Sequence, residues 1–223
     1  MKHVKMISGI VLIFTVMIVS AGCQKDYDAS GYTNAILDLQ FQGDTKAAIS
    51  IMDGTTQSSL MEMYREFIDD FTTGYITDGM EITDDQESEF SNLVSGIFTS
   101  MRYEVGEAEK IGKKEYEVPV VIQAADVFIR YRQLLTEDSI IISGKIQSGE
   151  YRGSEEEIEN QIMEEITSNA YQLLEKAYES CEYGEKQTVI LRVKADKNGM
   201  YSIDEDDMNN LIKKILRLDE IGG

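Results

Sequence analysis

Histidine and cysteine, which supply most catalytic bases, thiol nucleophiles and zinc ligands, are scarce in this sequence of 223 residues. It contains one histidine, His3, and two cysteines, Cys23 and Cys181. A cysteine thiol can attack a substrate, bind a metal or accept a covalent modification, and its surroundings decide among these. Cys23 follows three small residues and an apolar run, whereas Cys181 lies on the apolar side of a predicted helix. The two thiols are therefore expected to have different roles.

The segment before Cys23 has the three parts of a bacterial export signal. Positive charge comes first, with two lysines and the histidine within residues 2–5. Residues 7–19 then form a 13-residue apolar run. Such a run is too short to cross a hydrocarbon core of about 30 Å comfortably, and it suits a signal peptide. Small side chains follow at residues 20–22, so the segment is predicted to be removed on export.

The residues Ser20-Ala21-Gly22-Cys23 resemble the lipobox of bacterial lipoproteins, with serine in the position that is usually leucine. The resemblance implies cleavage between Gly22 and Cys23 and a diacylglyceryl group on the Cys23 thiol, with palmitate as a typical acyl chain. Two acyl chains hold a protein stably at a membrane. We therefore expect a lipoprotein signal peptide (1–22), a lipidated tether (23–29) and an extracytoplasmic domain (30–219) at the cell membrane. An uncleaved helix or an ordinary secretory signal is the alternative.

The charge of the chain is strongly negative, with 41 acidic and 21 basic residues. Every acidic residue follows Cys23, while Lys2 and Lys5 precede it, so cleavage leaves a net charge of −22. A body this acidic repels nucleic acid and anionic lipid headgroups. We therefore expect no nucleic-acid partner, and we expect membrane attachment through lipid on Cys23 rather than through a basic patch.

Catalytic candidates reduce to carboxylates, because His3 leaves with the signal peptide and the mature chain then has no imidazole. This excludes Ser-His-Asp and Cys-His catalysis and Cys/His zinc sites. Cys181 is expected to be a small buried hydrophobic residue. Adjacent carboxylates could act as in glycosidases, although adjacent pairs are common in so acidic a chain: Asp69-Asp70, Asp84-Asp85, Glu164-Glu165 and Asp206-Asp207. The sequence therefore assigns no catalytic, cofactor-binding or metal-binding residue.

Two further patterns have structural explanations. Residues 194–205 overlay a twelve-residue calcium loop, but Lys194 stands at the first position, where a carboxylate is required. Asn198-Gly199 instead predicts a hairpin turn. Several tyrosines could line a pocket or pack at the edge of the core: Tyr64, Tyr103, Tyr116, Tyr131, Tyr171 and Tyr201.

Helical periodicity predicts four helices in the first half of the domain. The predicted N-caps are Ser30, Asp44 and Thr83, a third helix covers residues 56–73, and Gly43 ends the first helix. Residues 102–124 predict a hairpin in which Pro119 favours an edge strand. Residues 126–151 are ambiguous: residues 127–135 look helical, and residues 140–142 could form a strand or a buried helical turn. A long helix from Ser154 to about residue 181, a second hairpin at 188–203 and a final helix complete the chain.

The order of these elements predicts an α+β fold, with N-terminal helices, antiparallel hairpins and a long helix. Three stretches, DASGYTNAILDLQFQGD, residues 116–122 and residues 197–216, resemble uncharacterised lipoproteins of Gram-positive bacteria. That resemblance implies a curved antiparallel sheet of NTF2-like or cystatin-like type. Residues 126–154 fit this plan poorly and leave a boundary between two lobes open.

With an anchor, a foldable domain and no reactive group of residues, the sequence predicts a non-catalytic binding or interaction domain at the cell envelope. The partner could be another envelope protein, a wall polymer or a small ligand. One alternative is a carboxylate-dependent hydrolase acting on cell-wall glycan. The other is a substrate-binding lipoprotein of a transport system, although such proteins usually alternate strands and helices in two α/β lobes.

Overall fold

The computed structural model of the chain describes residues 16–17, 27–52 and 54–221. The predicted cleavage point between Gly22 and Cys23 lies outside the described residues, as do most of the signal peptide and the start of the tether. The elements in chain order are β1 (Val16–Met17), α1 (Ala29–Gln42), α2 (Thr45–Ile51), α3 (Gln57–Phe71), a π-helical turn (Thr72–Ile76), α4 (Asp84–Thr99), β2 (Arg102–Val105), β3 (Glu109–Gly112), β4 (Glu115–Ala125), α5 (Val127–Ser148), α6 (Glu155–Glu179), β5 (Tyr183–Ala195), β6 (Met200–Ile203), α7 (Glu205–Ile215) and a 3₁₀ turn (Leu218–Glu220).

Helix α1 is central to the helical layer, because it contacts α2, α3 and α4 as well as strands β2 and β4. Its N-cap is Asp28, whose carboxylate accepts a hydrogen bond from the Gly31 N–H at 2.8 Å. The prediction that Ser30 caps this helix was therefore wrong, since the helix begins at Ala29. Gly43 ends the helix as predicted, in the left-handed conformation (φ 63°).

The described strands form one curled antiparallel sheet with the order β1-β6-β5-β4-β2, and β3 also pairs with β4. Alternate residues of β4 and β5 are buried, so one face of these strands packs on the core. Helix α1 contacts β2 and β4, and helix α7 contacts β4 and β5. Strand β1 comes from the segment assigned to the signal peptide, and it pairs with Met200 and Tyr201 at the edge of β6.

Pro119 lies in β4, which pairs with β5 on one side and with β2 and β3 on the other. The predicted edge position was therefore wrong. Proline is tolerated here because no residue of β2 or β3 pairs with it. Its carbonyl accepts a hydrogen bond from the Gly106 N–H at 2.7 Å, in the gap between these two strands. The Ser30 hydroxyl bridges the interruption by donating to the Gly106 carbonyl and accepting from the Ala108 N–H.

The ambiguous residues 127–148 form the continuous helix α5, which packs antiparallel to α6. Residues 136–169 of this helical pair contribute no side chain to the main core cluster, and we call them the arm. Ile142 is buried against α6, whereas Ile140 is 68% and Ile141 57% exposed. The Lys145 ammonium binds the Glu165 carboxylate at 2.5 Å and ties the arm together.

The α+β prediction is confirmed, with helices that precede an antiparallel sheet. Every strand pair that the structure describes is antiparallel, unlike the parallel sheets of two-lobed transport proteins. Within the described ranges, we find no helix with the length and apolar character needed to cross a membrane.

Candidate ligand-binding site

An apolar cavity of about 320 Å³ lies between the end of α3, the start of α5 and the C-terminal segment. Ligand pockets typically measure about 300–1,000 Å³, so this cavity suits a small molecule. Nearly all of its lining is aromatic or aliphatic: Phe71, Tyr75, Ile76, Phe128, Tyr131, Arg132, Leu135, Leu218 and Ile221.

The π-helical turn forms one wall of the cavity. The Thr77 N–H donates to the Thr72 carbonyl five residues earlier, at 3.0 Å, which widens the turn. The ring of Tyr75 stacks on Phe71 with centroids 4.8 Å apart, and Phe71 also contacts Phe128 at 5.5 Å. Single π-helical turns are rare and occur often at functional sites. This turn brings the aromatic end of α3 against the first turn of α5.

Tyr131 is the polar residue buried in the wall formed by α5. Its side chain is 4% exposed, and its hydroxyl has no hydrogen-bond partner among the described residues. Burial raises the pKa of Tyr131 well above its ordinary value, so the group stays a neutral O–H. A buried hydroxyl without a partner costs about 1–3 kcal/mol.

The C-terminal segment closes the other side of the cavity. Arg217 adopts a left-handed conformation (φ 53°), which is uncommon for a residue with a side chain, and turns the chain so that Leu218 and Ile221 line the cavity. The exposed Arg132 guanidinium donates to the Ile221 carbonyl. Arg132 therefore places a cation at the rim of the cavity, where it both holds the C-terminal segment and faces solvent.

A larger and more polar groove of about 620 Å³ lies between α3 and α4. It brings together Asp69 and Asp84, which are members of two of the carboxylate pairs considered for hydrolysis. Both side chains are exposed. The other pairs have structural partners, because Glu165 binds Lys145 and Asp207 binds Arg192 at 2.7 Å.

Residues predicted as possible sites are otherwise dispersed. Cys23 and Gly22 lie outside the described residues. Cys181 follows the end of α6 and is partly buried, and burial raises the pKa of its thiol. Tyr131 lines the apolar cavity, Tyr64 the polar groove, and Tyr116 and Tyr201 lie together. Residues 194–205 contain the predicted hairpin turn, with β6 paired to β5.

Sequence reasoning missed the cavity, although part of its pattern was visible. Phe128, Tyr131 and Leu135 recur at steps of three and four and therefore share one face of a helix. Their partners are Phe71 and the C-terminal Leu218, which are distant in sequence. Residues 127–135 were predicted to be helical, but nothing in the sequence showed which distant residues would meet this face.

Comparison with known proteins yields one informative likeness. Neither the protein-family models nor the curated proteins gave a match to the chain. A solved structure from Bacillus subtilis, described as a "putative lipoprotein (ycdA)", is similar with a TM-score of 0.51 and 16% sequence identity. The match covers 85% of this chain and 56% of that one, so this chain spans little more than half of that protein's length. At this identity the likeness shows the fold alone.

Proposed function

We propose that this protein is a lipoprotein, anchored through Cys23 at the outer face of the cell membrane, and that it binds a small, mostly apolar ligand in the cavity lined by Tyr131. The supporting observation is the cavity of about 320 Å³ itself, whose walls are almost entirely aromatic or aliphatic. A pocket of apolar walls with few polar groups is typical of small-molecule sites. The ligand class is an aliphatic or aromatic group that carries one hydroxyl or carboxyl.

Support for the anchor comes from the lipobox-like residues 20–23 and from the fold likeness to the Bacillus subtilis protein. The folded body begins at Tyr27, so three residues separate it from Cys23. Processing at Gly22 would also remove β1 from the edge of β6. Labelling cells with a clickable palmitate analogue tests the anchor: wild-type protein should be labelled and Cys23→Ser protein should not. Equal labelling of both, or no label on either, would contradict it.

Ligand binding can be measured with 1-anilinonaphthalene-8-sulfonate and the purified chain from residue 24 onward. We expect saturable binding at one site, which octanol or octanoate displaces. Leu135→Trp should abolish binding because the indole fills the cavity, while Ile140→Trp on the exposed arm serves as its control. Unchanged binding by Leu135→Trp would rule the cavity out.

Hydrolysis of a cell-wall glycan is a second candidate, which the meeting of Asp69 and Asp84 in one groove supports. A general acid near neutral pH usually lies in an apolar pocket that keeps it protonated. The exposure of both carboxylates therefore disfavours this role. The test measures the release of soluble fragments from purified peptidoglycan. If the protein hydrolyses this glycan through these carboxylates, Asp69→Asn and Asp84→Asn should both be inactive.

A further inference from the structure

Five exposed lysines lie on two adjoining turns of the sheet, although the protein as a whole is acidic. The β3–β4 hairpin carries Lys110, Lys113 and Lys114, and the β5–β6 hairpin carries Lys194 and Lys197. The Lys114 carbonyl accepts a hydrogen bond from the Ala195 N–H at 3.1 Å, which joins the two turns. We call these lysines, together with the exposed Ile111, the lysine face.

The same two turns also carry three carboxylates, those of Glu109, Glu115 and Asp196, so the charge of the five lysines is partly compensated. Lys194 lies 3.8 Å from Glu115, and the Asp196 carboxylate accepts backbone N–H groups of its own turn, from Asn198 and Met200. Among the described residues, Lys113, Lys114 and Lys197 form no ion pair. Ile111 is 46% exposed between these charges. The face therefore combines free cations with an apolar side chain.

The lysine face is also the end of the sheet nearest the predicted anchor. Tyr27 stacks on Tyr201 and lies 5.8 Å from Tyr116, and the Lys110 ammonium is 5.9 Å from the ring of Tyr116. Four residue steps join Cys23 to Tyr27, and at about 3.5 Å per residue they span about 14 Å at most. Lipid on Cys23 would therefore hold this end of the sheet close to the membrane.

We propose that the lysine face binds anionic phospholipid headgroups of the membrane that holds the protein, an inference that rests on the proposed acylation of Cys23. Cations beside an anionic membrane surface are attracted within about one Debye length, which is about 10 Å at 0.1 M salt. The rest of the acidic body is repelled by the same surface. Attraction at one end and repulsion elsewhere fix the orientation, with the sheet turns down and Ile111 at the headgroup level.

The test supplies the lipid chemically, so its result does not depend on native acylation. A Cys181→Ser chain that begins at Cys23 is coupled through the Cys23 thiol to maleimide-lipid in vesicles, after circular dichroism has confirmed its fold. Because the chain has no tryptophan, Ile111→Trp introduces a single reporter of the face, and Ile140→Trp one of the distant arm. Brominated lipids then quench whichever indole reaches the membrane.

We expect Ile111→Trp to be quenched about twofold or more strongly in vesicles with phosphatidylglycerol than in phosphatidylcholine alone, and the difference to vanish at about 0.5 M NaCl. Adding Lys113→Glu, Lys114→Glu and Lys197→Glu should abolish the difference. The matched triple Lys46→Glu, Lys176→Glu and Lys186→Glu should retain it. Equal quenching in both lipids, or equal quenching of the two tryptophans, would overturn the proposal.

Discussion

The ring of Tyr27 stacks face to face on the ring of Tyr201, with centroids 3.6 Å apart and planes inclined by 7°. This contact joins the residue at the start of the folded body to strand β6, and Tyr32 and Tyr116 surround the same ring. The cluster fixes where the chain leaves the domain towards Cys23. Its strength therefore determines how rigidly a lipid anchor would hold the protein.

Replacing Tyr27 with alanine should lower the free energy of unfolding by about 2 kcal/mol, because a largely buried ring and its stacking contact are lost. Tyr27→Phe is the matched control. The Tyr27 hydroxyl is buried without a partner among the described residues, so phenylalanine should leave stability unchanged or raise it. Urea unfolding followed by circular dichroism measures both. A Tyr27→Phe variant as unstable as Tyr27→Ala would show that the stack is not the source of the effect.

Tyr131→Phe should stabilise the ligand-free protein by about 1 kcal/mol, or about 2–4 °C in Tm for a domain of this size, because an unpaired buried hydroxyl is removed. Tyr178→Phe is the control, since the Tyr178 hydroxyl donates to the Gly96 carbonyl at 3.0 Å and its loss should destabilise. Differential scanning calorimetry without ligand gives both values. A destabilised Tyr131→Phe protein would mean that the hydroxyl has a partner in solution.

Local sequence signals predicted most of the helices and their ends. The Thr83 and Ser154 capping boxes and the left-handed Gly43 all occur as expected, because each depends on residues within one turn. Pro119 was misassigned because its tolerance depends on Gly106 and Ser30, which reach it through tertiary contacts. The first part of helix α5 was predicted at residues 127–135, but its second half was left undecided because its exposed isoleucines break the amphipathic pattern that a packed helix normally shows.

The candidate site was harder to predict than the fold for the same reason. The cavity exists because Phe71, Tyr131 and Leu218 converge from three distant parts of the chain. The lysine face likewise joins two turns that are about 80 residues apart in sequence, which antiparallel pairing of β4 with β5 brings together. Composition alone indicated a strongly acidic body, and only the fold brings these five lysines together.

Truncating Ile142 should destabilise the arm, whereas truncating the nearby Ile140 should not. Ile142 is 5% exposed against α6, so Ile142→Ala should destabilise by about 2 kcal/mol, at the low end for a buried isoleucine because only two helices surround it. Ile140→Ala should change stability by less than about 0.5 kcal/mol. Hydrogen exchange of α5 and α6 localises the effect. Similar losses for both variants would indicate that a second surface covers Ile140 in solution.

The arm should also become sensitive to acid through Glu165. Hydrogen bonds from Lys145 and Tyr151 lower the pKa of Glu165 below its ordinary value in the folded state. A carboxyl group with a lowered folded-state pKa contributes stability above its unfolded pKa, and it loses that contribution as the pH falls through the folded value. The arm should therefore be held most firmly near neutral pH and should loosen in acid.

Glu165→Gln isolates this contribution from the overall change in charge, and Glu164→Gln, which alters the exposed neighbour, is its control. At pH 7 the arm of the Glu165→Gln protein should exchange amide hydrogens faster than the wild-type arm. The difference between the two should disappear as the pH falls through the lowered folded-state pKa of Glu165, because the wild-type carboxyl then becomes protonated. Mass spectrometry of peptides from α5 and α6, compared at each pH, measures it. A difference that persists or grows in acid would show that the Glu165 charge does not hold the arm.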